Sequence, residues 1–253
     1  MGDGLCNTIK LIMKKKIIEN IYSVLIAVFL AILIRTFILQ PFYIPSASME
    51  NTLLTGDRLF VTKYTYGYSR HSFPFSLKLF NDRIFFSKPD RGDVIVFKTP
   101  ADNRTDYIKR LVGLPNDKIQ FINGDLYVNN NKVEKKFVRN DYVFCGDEKV
   151  KVKIYSEKIN PDIYYEISYF AGTSFSDTDQ YTVPENHYFF LGDNRDCSSD
   201  SRYLSKVGYV NSNNLVGKAR FIFFSNDKYI GSFFKFWKWN KSIRFNRILK
   251  KIN

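Results

Sequence analysis

Metal ligands and disulfide partners are scarce in this chain. Two histidines, His71 and His187, and three scattered cysteines in 253 residues form no Cys-x-x-Cys pair and no His-rich cluster. That leaves little room for a zinc site and excludes a disulfide-framework scaffold. Cys6 precedes the one long apolar segment, so topology separates it from Cys145 and Cys197. Free thiols are the expected state, with a Cys145–Cys197 bridge left open. Acidic residues are also few: 25 Asp and Glu face 38 Lys and Arg, a net charge of +13. Alone, that balance points to nucleic acid or an anionic lipid surface. No amphipathic helical pattern of good length is present, which argues against a helical bundle.

What the chain does have is an apolar run near its N-terminus. Ile21 to Ile34 is broken only by Ser23, and a bilayer needs about 20 residues. Extending the run to Ile17 and Leu39 gives an adequate span, with Glu19, Asn20 and Arg35 near its ends. A cleaved signal peptide is disfavoured because no Ala-x-Ala site follows directly. Lys10, Lys14, Lys15 and Lys16 precede the span, and no Lys or Arg lies between Arg35 and Arg58. The positive-inside rule therefore predicts a cytoplasmic N-terminus and an exported remainder, 40–253. That placement disfavours nucleic acid as a partner.

The exported part reads as mainly antiparallel β. Runs at 58–63, 93–98, 107–112, 188–191 and 219–224 are short, β-rich and bounded by turn signals. Asn123-Gly124-Asp125 between 118–122 and 126–128 predicts a tight hairpin. The expected organisation is a basic N-terminus (1–16), a transmembrane helix (17–39), a catalytic β domain (40–128 and 181–232), an inserted β-subdomain (129–180) and a basic aromatic tail (233–253). The segment 65–90 reads as an extended loop or hairpin. For the tail, with Trp237, Trp239 and no acidic residue after 233, membrane-interface binding and disorder are equally supported.

Three strings carry chemistry. In Pro45-Ser46-Ala47-Ser48-Met49, Ser48 follows an extended apolar ribbon, Phe42-Tyr43-Ile44, held open by Pro41 and Pro45. A substrate strand could pair beside that ribbon. In Asp106-Tyr107-Ile108-Lys109-Arg110, Lys109 sits in an apolar strand, sharing a face with Tyr107 and Leu111. A buried lysine loses its proton more readily and can activate a serine. A surface lysine on an edge strand is the plainer alternative, just as Ser48 could simply cap a turn. The third string, Gly192-Asp193-Asn194-Arg195-Asp196-Cys197-Ser198-Ser199-Asp200-Ser201-Arg202, reads as a hydrophilic turn, or as a loop buttressed by Asp193/Arg195 and Asp200/Arg202 pairs. There Ser198 could orient a neutral lysine.

Together these strings closely resemble type I signal peptidases, membrane-bound Ser-Lys proteases. The matching segments are Gln40 to Met49, Arg91-Gly-Asp-Val-Ile-Val-Phe97, Tyr107 to Pro115 and Gly192 to Asp196. The resemblance implies Ser48 as nucleophile and Lys109 as general base. It implies Ser46 and the Ser48 backbone N–H as oxyanion donors, Ser198 as the lysine's orienting residue, and Asp200 with Arg202 as support. Phe42, Ile44, Tyr107 and Ile108 fall where the family builds shallow apolar pockets. It further implies secretory preproteins as substrates, a bacterial cytoplasmic membrane location, and no metal or cofactor. Cys197 departs from the asparagine many relatives carry, and Cys145 lacks a close partner for the disulfide of some relatives' inserted subdomain. The rival enzyme, an intracellular self-cleaving repressor protease, would need a DNA-binding domain where the apolar segment lies. The non-enzymatic rival is a membrane-anchored envelope- or lipid-binding β protein.

Overall fold

The computed structural model describes residues 2–73, 76, 81–172, 177–227, 230–231 and 236–252, with side chains from 13 onward. Helix α1 (Gly2–Phe37) is followed by β1 (Leu39–Tyr43), β2 (Asp57–Thr62), β3 (Val94–Lys98), β4 (Asp106–Gly113), β5 (Lys118–Ile122), β6 (Asp125–Val128) and β7 (Asn131–Lys132). Then come β8 (Glu134–Cys145), β9 (Glu148–Asn160), β10 (Ile163–Phe170), β11 (Tyr181–Thr182), β12 (His187–Leu191), β13 (Val210–Asn211), β14 (Leu215–Ser225) and a short α2 (Trp239–Ser242).

The apolar stretch of α1 suited to a membrane is Met13–Phe37, and none of its most hydrophobic window is buried against protein. The helix itself ends at Phe37, and Leu39, the last residue of the expected span, opens β1. Pro41 forces its predecessor out of the α region. It also lacks an N–H, which an edge strand tolerates. Phe37 packs edge-on against Tyr68 and Phe73, and its carbonyl accepts from the Tyr68 hydroxyl at 2.9 Å. The apolar helix thus runs directly onto the β domain.

A seven-stranded antiparallel sheet, in the order β1-β2-β14-β3-β4-β12-β13, carries the site. Its central strand β3 is buried on both faces. Val94 and Val96 join Ile44, Met49, Leu59 and Ala219 in one core, while Ile95 and Phe97 join Leu111, Tyr188 and Phe190 in another. Strand β4 lies inside the sheet between β3 and β12, so Lys109 is not on an edge. Two further sheets flank it: β10-β9-β8, and β11-β5-β6-β7. The predicted turn is present, with Asn123 and Gly124 both at positive φ, the two-residue geometry that matches strand twist. In β9 the buried Val152 and Ile154 alternate with outward lysines, which guard the ribbon against edge pairing.

Two expectations are corrected. Cys145 and Cys197 form a disulfide, with Cα atoms 5.7 Å apart. The bridge left open above is thus the one formed; free thiols were expected because the contact depends on the β8–β9 hairpin meeting the 192–202 loop. The tail is not disordered over 236–252. Ile252 is buried in the core below β2 and β14, and Arg247 pairs with the fully buried Asp57. Backbone bonds Ile222 N to Lys250 O and Ile252 N to Arg220 O hold it along β14. Phe233, Phe234 and Lys235 lie outside the described residues.

Candidate active site

Ser48 sits in a tight turn after β1. The Glu50 N–H bonds to Ala47 O at 2.9 Å and the Leu53 N–H to Met49 O at 2.7 Å, so no regular helix follows. Met49 and Leu53 are buried beneath the turn and anchor it to the core. Lys109 reaches the same point from β4. Its Nζ is 2.6 Å from Ser48 Oγ and donates to the Ile108 carbonyl at 3.1 Å. Ser46 Oγ lies 3.3 Å from Ser48 Oγ. Ser48 is 8 % exposed and Lys109 4 %. Burial pushes the lysine down to about 8, partly opposed by the charges of Asp200 and Asp193. A neutral fraction that grows as the pH rises toward about 8 therefore faces the serine, the form a general base requires.

The dyad opens into a cleft of about 460 Å³, within the range of small-ligand sites. Phe42, Ile44, Tyr107 and Ile108 all line it, joined by Val96, Thr105, Cys197 and Ser199. The extended ribbon on one side is β1, an outermost strand of the sheet. A larger cavity of about 890 Å³ near Thr62, Tyr64 and Lys218 contains neither Ser48 nor Lys109.

The 192–202 loop grips the Ser48 turn. The Asn194 N–H donates to Ser48 O and its side-chain amide to Ala47 O, each at 3.2 Å. A Cβ on Gly192 would lie 2.2 Å from Ser198 Oγ and 2.5 Å from Ser48 O. Only glycine fits there. The loop's ion pairs differ from expectation. Asp200 does pair with Arg202, at 2.8 and 2.9 Å. Burial raises the Asp200 carboxyl, but Arg202 and the Gly192 N–H outweigh that and leave it below the usual carboxylate range. Asp193 and Arg195, however, do not pair with each other. Asp193 takes a bidentate bond from Arg110 at 2.8 and 2.9 Å, and Arg195 binds Glu157 of β9. The Asp193 and Arg195 side chains point to opposite sides, toward β4 and toward the flanking sheet.

Among the described residues no hydrogen bond joins Ser198 to Lys109. The buried Ser198 hydroxyl has no partner at full hydrogen-bond geometry, although it lies close enough to Asp200 to help hold that carboxylate down. The Ile108 carbonyl instead holds the lysine's ammonium. Sequence reasoning gave no role to Arg110, Thr52, Asn194, Glu157 or Glu50. Thr52 donates to Asp193 at 2.5 Å, and Arg110 lies 3.8 Å from the Tyr165 ring centroid. Glu50, two residues past the serine, is partly buried; burial raises its carboxyl to about 7, opposed by a backbone hydrogen bond from Phe144. Arg110 and Asn194 sit inside strings already singled out, which was the one available signal. No group of metal-binding side chains is found among the described residues.

Residues 17–224 match the family described as signal peptidase, peptidase S26. Signal peptidase I of Rickettsia bellii (strain OSU 85-389) is 41 % identical over 247 residues, covering 91 % of this chain and 84 % of that protein. Signal peptidase I of Rickettsia prowazekii (strain Madrid E) is 39 % identical over 255 residues, covering 94 % and 95 %. A crystal structure of a signal peptidase I from Enterococcus faecalis shares 29 % identity, covers 52 % of this chain and 97 % of that one, and superposes with a TM-score of 0.31. A family match across most of the chain, with relatives aligned nearly end to end, leaves one assignment: the chain belongs to the signal peptidase, peptidase S26, family.

Proposed function

We propose that this chain is a membrane-bound serine endopeptidase that removes N-terminal signal peptides from exported preproteins, with Ser48 as nucleophile and Lys109 as general base. The observation that carries the reading is the 2.6 Å approach of Lys109 Nζ to Ser48 Oγ inside a buried, substrate-sized cleft. A preprotein segment enters extended beside β1, with small side chains seated against Phe42, Ile44, Tyr107 and Ile108. Ser48 Oγ attacks the scissile carbonyl carbon and its proton passes to Lys109 Nζ. The Ser46 hydroxyl and the Ser48 backbone N–H donate to the developing oxyanion. Lys109 then gives the proton to the leaving amine, the mature protein departs, and an ester remains on Ser48. A water molecule, deprotonated by Lys109, hydrolyses it.

Asp193, Arg195, Asp200 and Arg202 support this by holding the loop beneath the serine. Ser198, whose buried hydroxyl has no hydrogen-bond partner among the described residues, is proposed to orient the lysine. The orientation proposed is N-terminus in the cytoplasm and β domain on the exported side of a bacterial cytoplasmic membrane. The Cys145–Cys197 bond supports that side, since structural disulfides persist in oxidising compartments.

The test is cleavage of a secretory preprotein by the purified protein in detergent. Wild type should cut after the small-x-small site, and Ser48→Ala and Lys109→Ala should each abolish cutting while keeping the melting temperature. Retained cleavage in either variant refutes the dyad. A non-catalytic envelope-binding role predicts instead that Ser48→Ala changes nothing.

A further inference from the structure

Lys63 is a buried cation without a counter-ion among the described residues. It follows β2, is 3 % exposed, and its ammonium donates to the Ser72 carbonyl at 2.6 Å. The acid facing it, Asp106, is already paired with Lys98 at 2.9 Å. Burial, and then the charge of Arg35, push the Lys63 ammonium down to about 8; Asp106 opposes this and Lys98 adds to it. A buried charge with no partner is costly, so folded proteins rarely keep one without a use. Three neighbours complete the setting. Arg35 has no ion pair among the described residues. His71 is held neutral, with burial lowering it to about 4, and bonds Ser76 through Nδ1 at 3.1 Å. Thr36 is 4 % exposed, and its Oγ1 has no hydrogen-bond partner among the described residues.

These groups line one cavity of about 520 Å³. Three cations (Arg35, Lys63 and Lys98) face a single acid there. Ile32 and Phe73 supply an apolar wall, and Ile32 lies on the membrane-suited stretch of α1. The cavity therefore runs from the end of the membrane helix to a cluster of cations and an unused hydroxyl. A phosphate diester with attached acyl chains has that same order of apolar and anionic parts. Free phosphate shares the anionic chemistry but would leave the apolar wall empty.

We propose that the cavity bounded by Arg35, Thr36, Lys63 and Lys98 binds the phosphate of an anionic phospholipid headgroup where α1 leaves the membrane. The phosphate oxygens accept from Lys63 Nζ, the Arg35 guanidinium and Thr36 Oγ1, and the acyl chains lie along Ile32. The lipid would fix the distance between bilayer and β domain, because the same helix end packs on Tyr68 and Phe73. The inference rests on the membrane-anchor reading of α1 and not on the Ser-Lys dyad.

The test uses the full-length protein in dodecyl maltoside micelles. Its melting temperature is measured with added dioleoyl-phosphatidylglycerol, dioleoyl-phosphatidylcholine or inorganic phosphate, and bound lipid is counted by native mass spectrometry. Phosphatidylglycerol should raise the melting temperature by about 3 °C or more and stay bound. Phosphatidylcholine and inorganic phosphate should do much less. Lys63→Met should melt higher than wild type without lipid, because the unpaired charge is gone, yet lose most of the phosphatidylglycerol shift. A merely structural lysine would show the opposite lipid-free change. Thr36→Val, a small isosteric change, should shrink the shift as well and stands in should Lys63→Met fail to fold. An undiminished shift in both variants overturns the proposal. So does an equal shift from phosphatidylcholine or inorganic phosphate, or a shift abolished by Lys250→Gln with Lys251→Gln but not by Lys63→Met.

Discussion

Lys109 and Lys63 are both buried beside the same seven-stranded sheet, and burial pushes both down to about 8. Their surroundings differ. Lys109 points at a hydroxyl that opens into a cleft lined by extended backbone and apolar side chains. Lys63 points at a carbonyl, with Arg35 and Lys98 nearby and no nucleophile on its ammonium. Low pKa alone therefore does not mark a base. What separates the two sites is the partner within hydrogen-bond reach and the space beyond it.

The largest effect that sharpens this contrast is catalytic. Ser48→Ala and Lys109→Met should each lower preprotein cleavage by about 10³-fold or more, read as product formed per unit time. Lys63→Met should act instead through lipid response, with a rate loss of about tenfold at most. A 10³-fold loss from Lys63→Met would erase the distinction drawn here.

The next effect compares a paired buried cation with the unpaired ones. Arg110 has a bidentate carboxylate partner in Asp193. Removing one member of such a pair strands the other, so Asp193→Ala should destabilise by about 3–5 kcal/mol. Lys109→Met and Lys63→Met should instead stabilise, each on the order of 1 kcal/mol at pH 7. Denaturant melts of the three variants give the signs directly, and destabilisation by both lysine variants would contradict the account.

Between these in size lies the disulfide, which ties the β8–β9 hairpin to the loop under the serine. Cys145→Ser should cost about 2–4 kcal/mol of stability. It should also weaken discrimination between alanine and bulkier residues before the cut, since Cys197 lines the cleft. Unchanged selectivity among matched substrates would reduce the bridge to a staple.

The parts of this molecule legible in sequence were those set by short-range rules. The apolar helix, the Asn123-Gly124 hairpin and the extended ribbon between Pro41 and Pro45 follow from local propensity and sterics. The strings holding Ser48, Lys109 and Asp200 were visible, and so was the alternation that places Tyr107 and Lys109 on one face. What stayed hidden depends on topology. Arg110 meets Asp193 across 83 residues and Cys145 meets Cys197 across 52, separations at which composition says nothing about contact. The Asp193/Arg195 pairing was misread because two charges close in sequence invite a local pair, whereas this turn sends them to different sheets. The tail's order stayed hidden as well, because Arg247 meets its partner Asp57 across 190 residues. Lys63 ended an ordinary β run, and nothing nearby in sequence marked it as buried.

The central claim is that neutral Lys109 takes the proton of Ser48, and the pH dependence of cleavage tests it most directly. Lys109 has its folded value lowered from 10.5 to about 8 by burial. Below about 8 it is increasingly protonated and cannot act as base; above about 8 it is neutral and competent. The same shift makes the unfolded chain bind more protons between 8 and 10.5, so this group's contribution to stability also rises with pH there. The account predicts that kcat/KM for a preprotein falls about tenfold per pH unit on the acid side and levels off above about 8. A profile that stays flat from pH 5 to about 9, with the protein folded throughout, would contradict it.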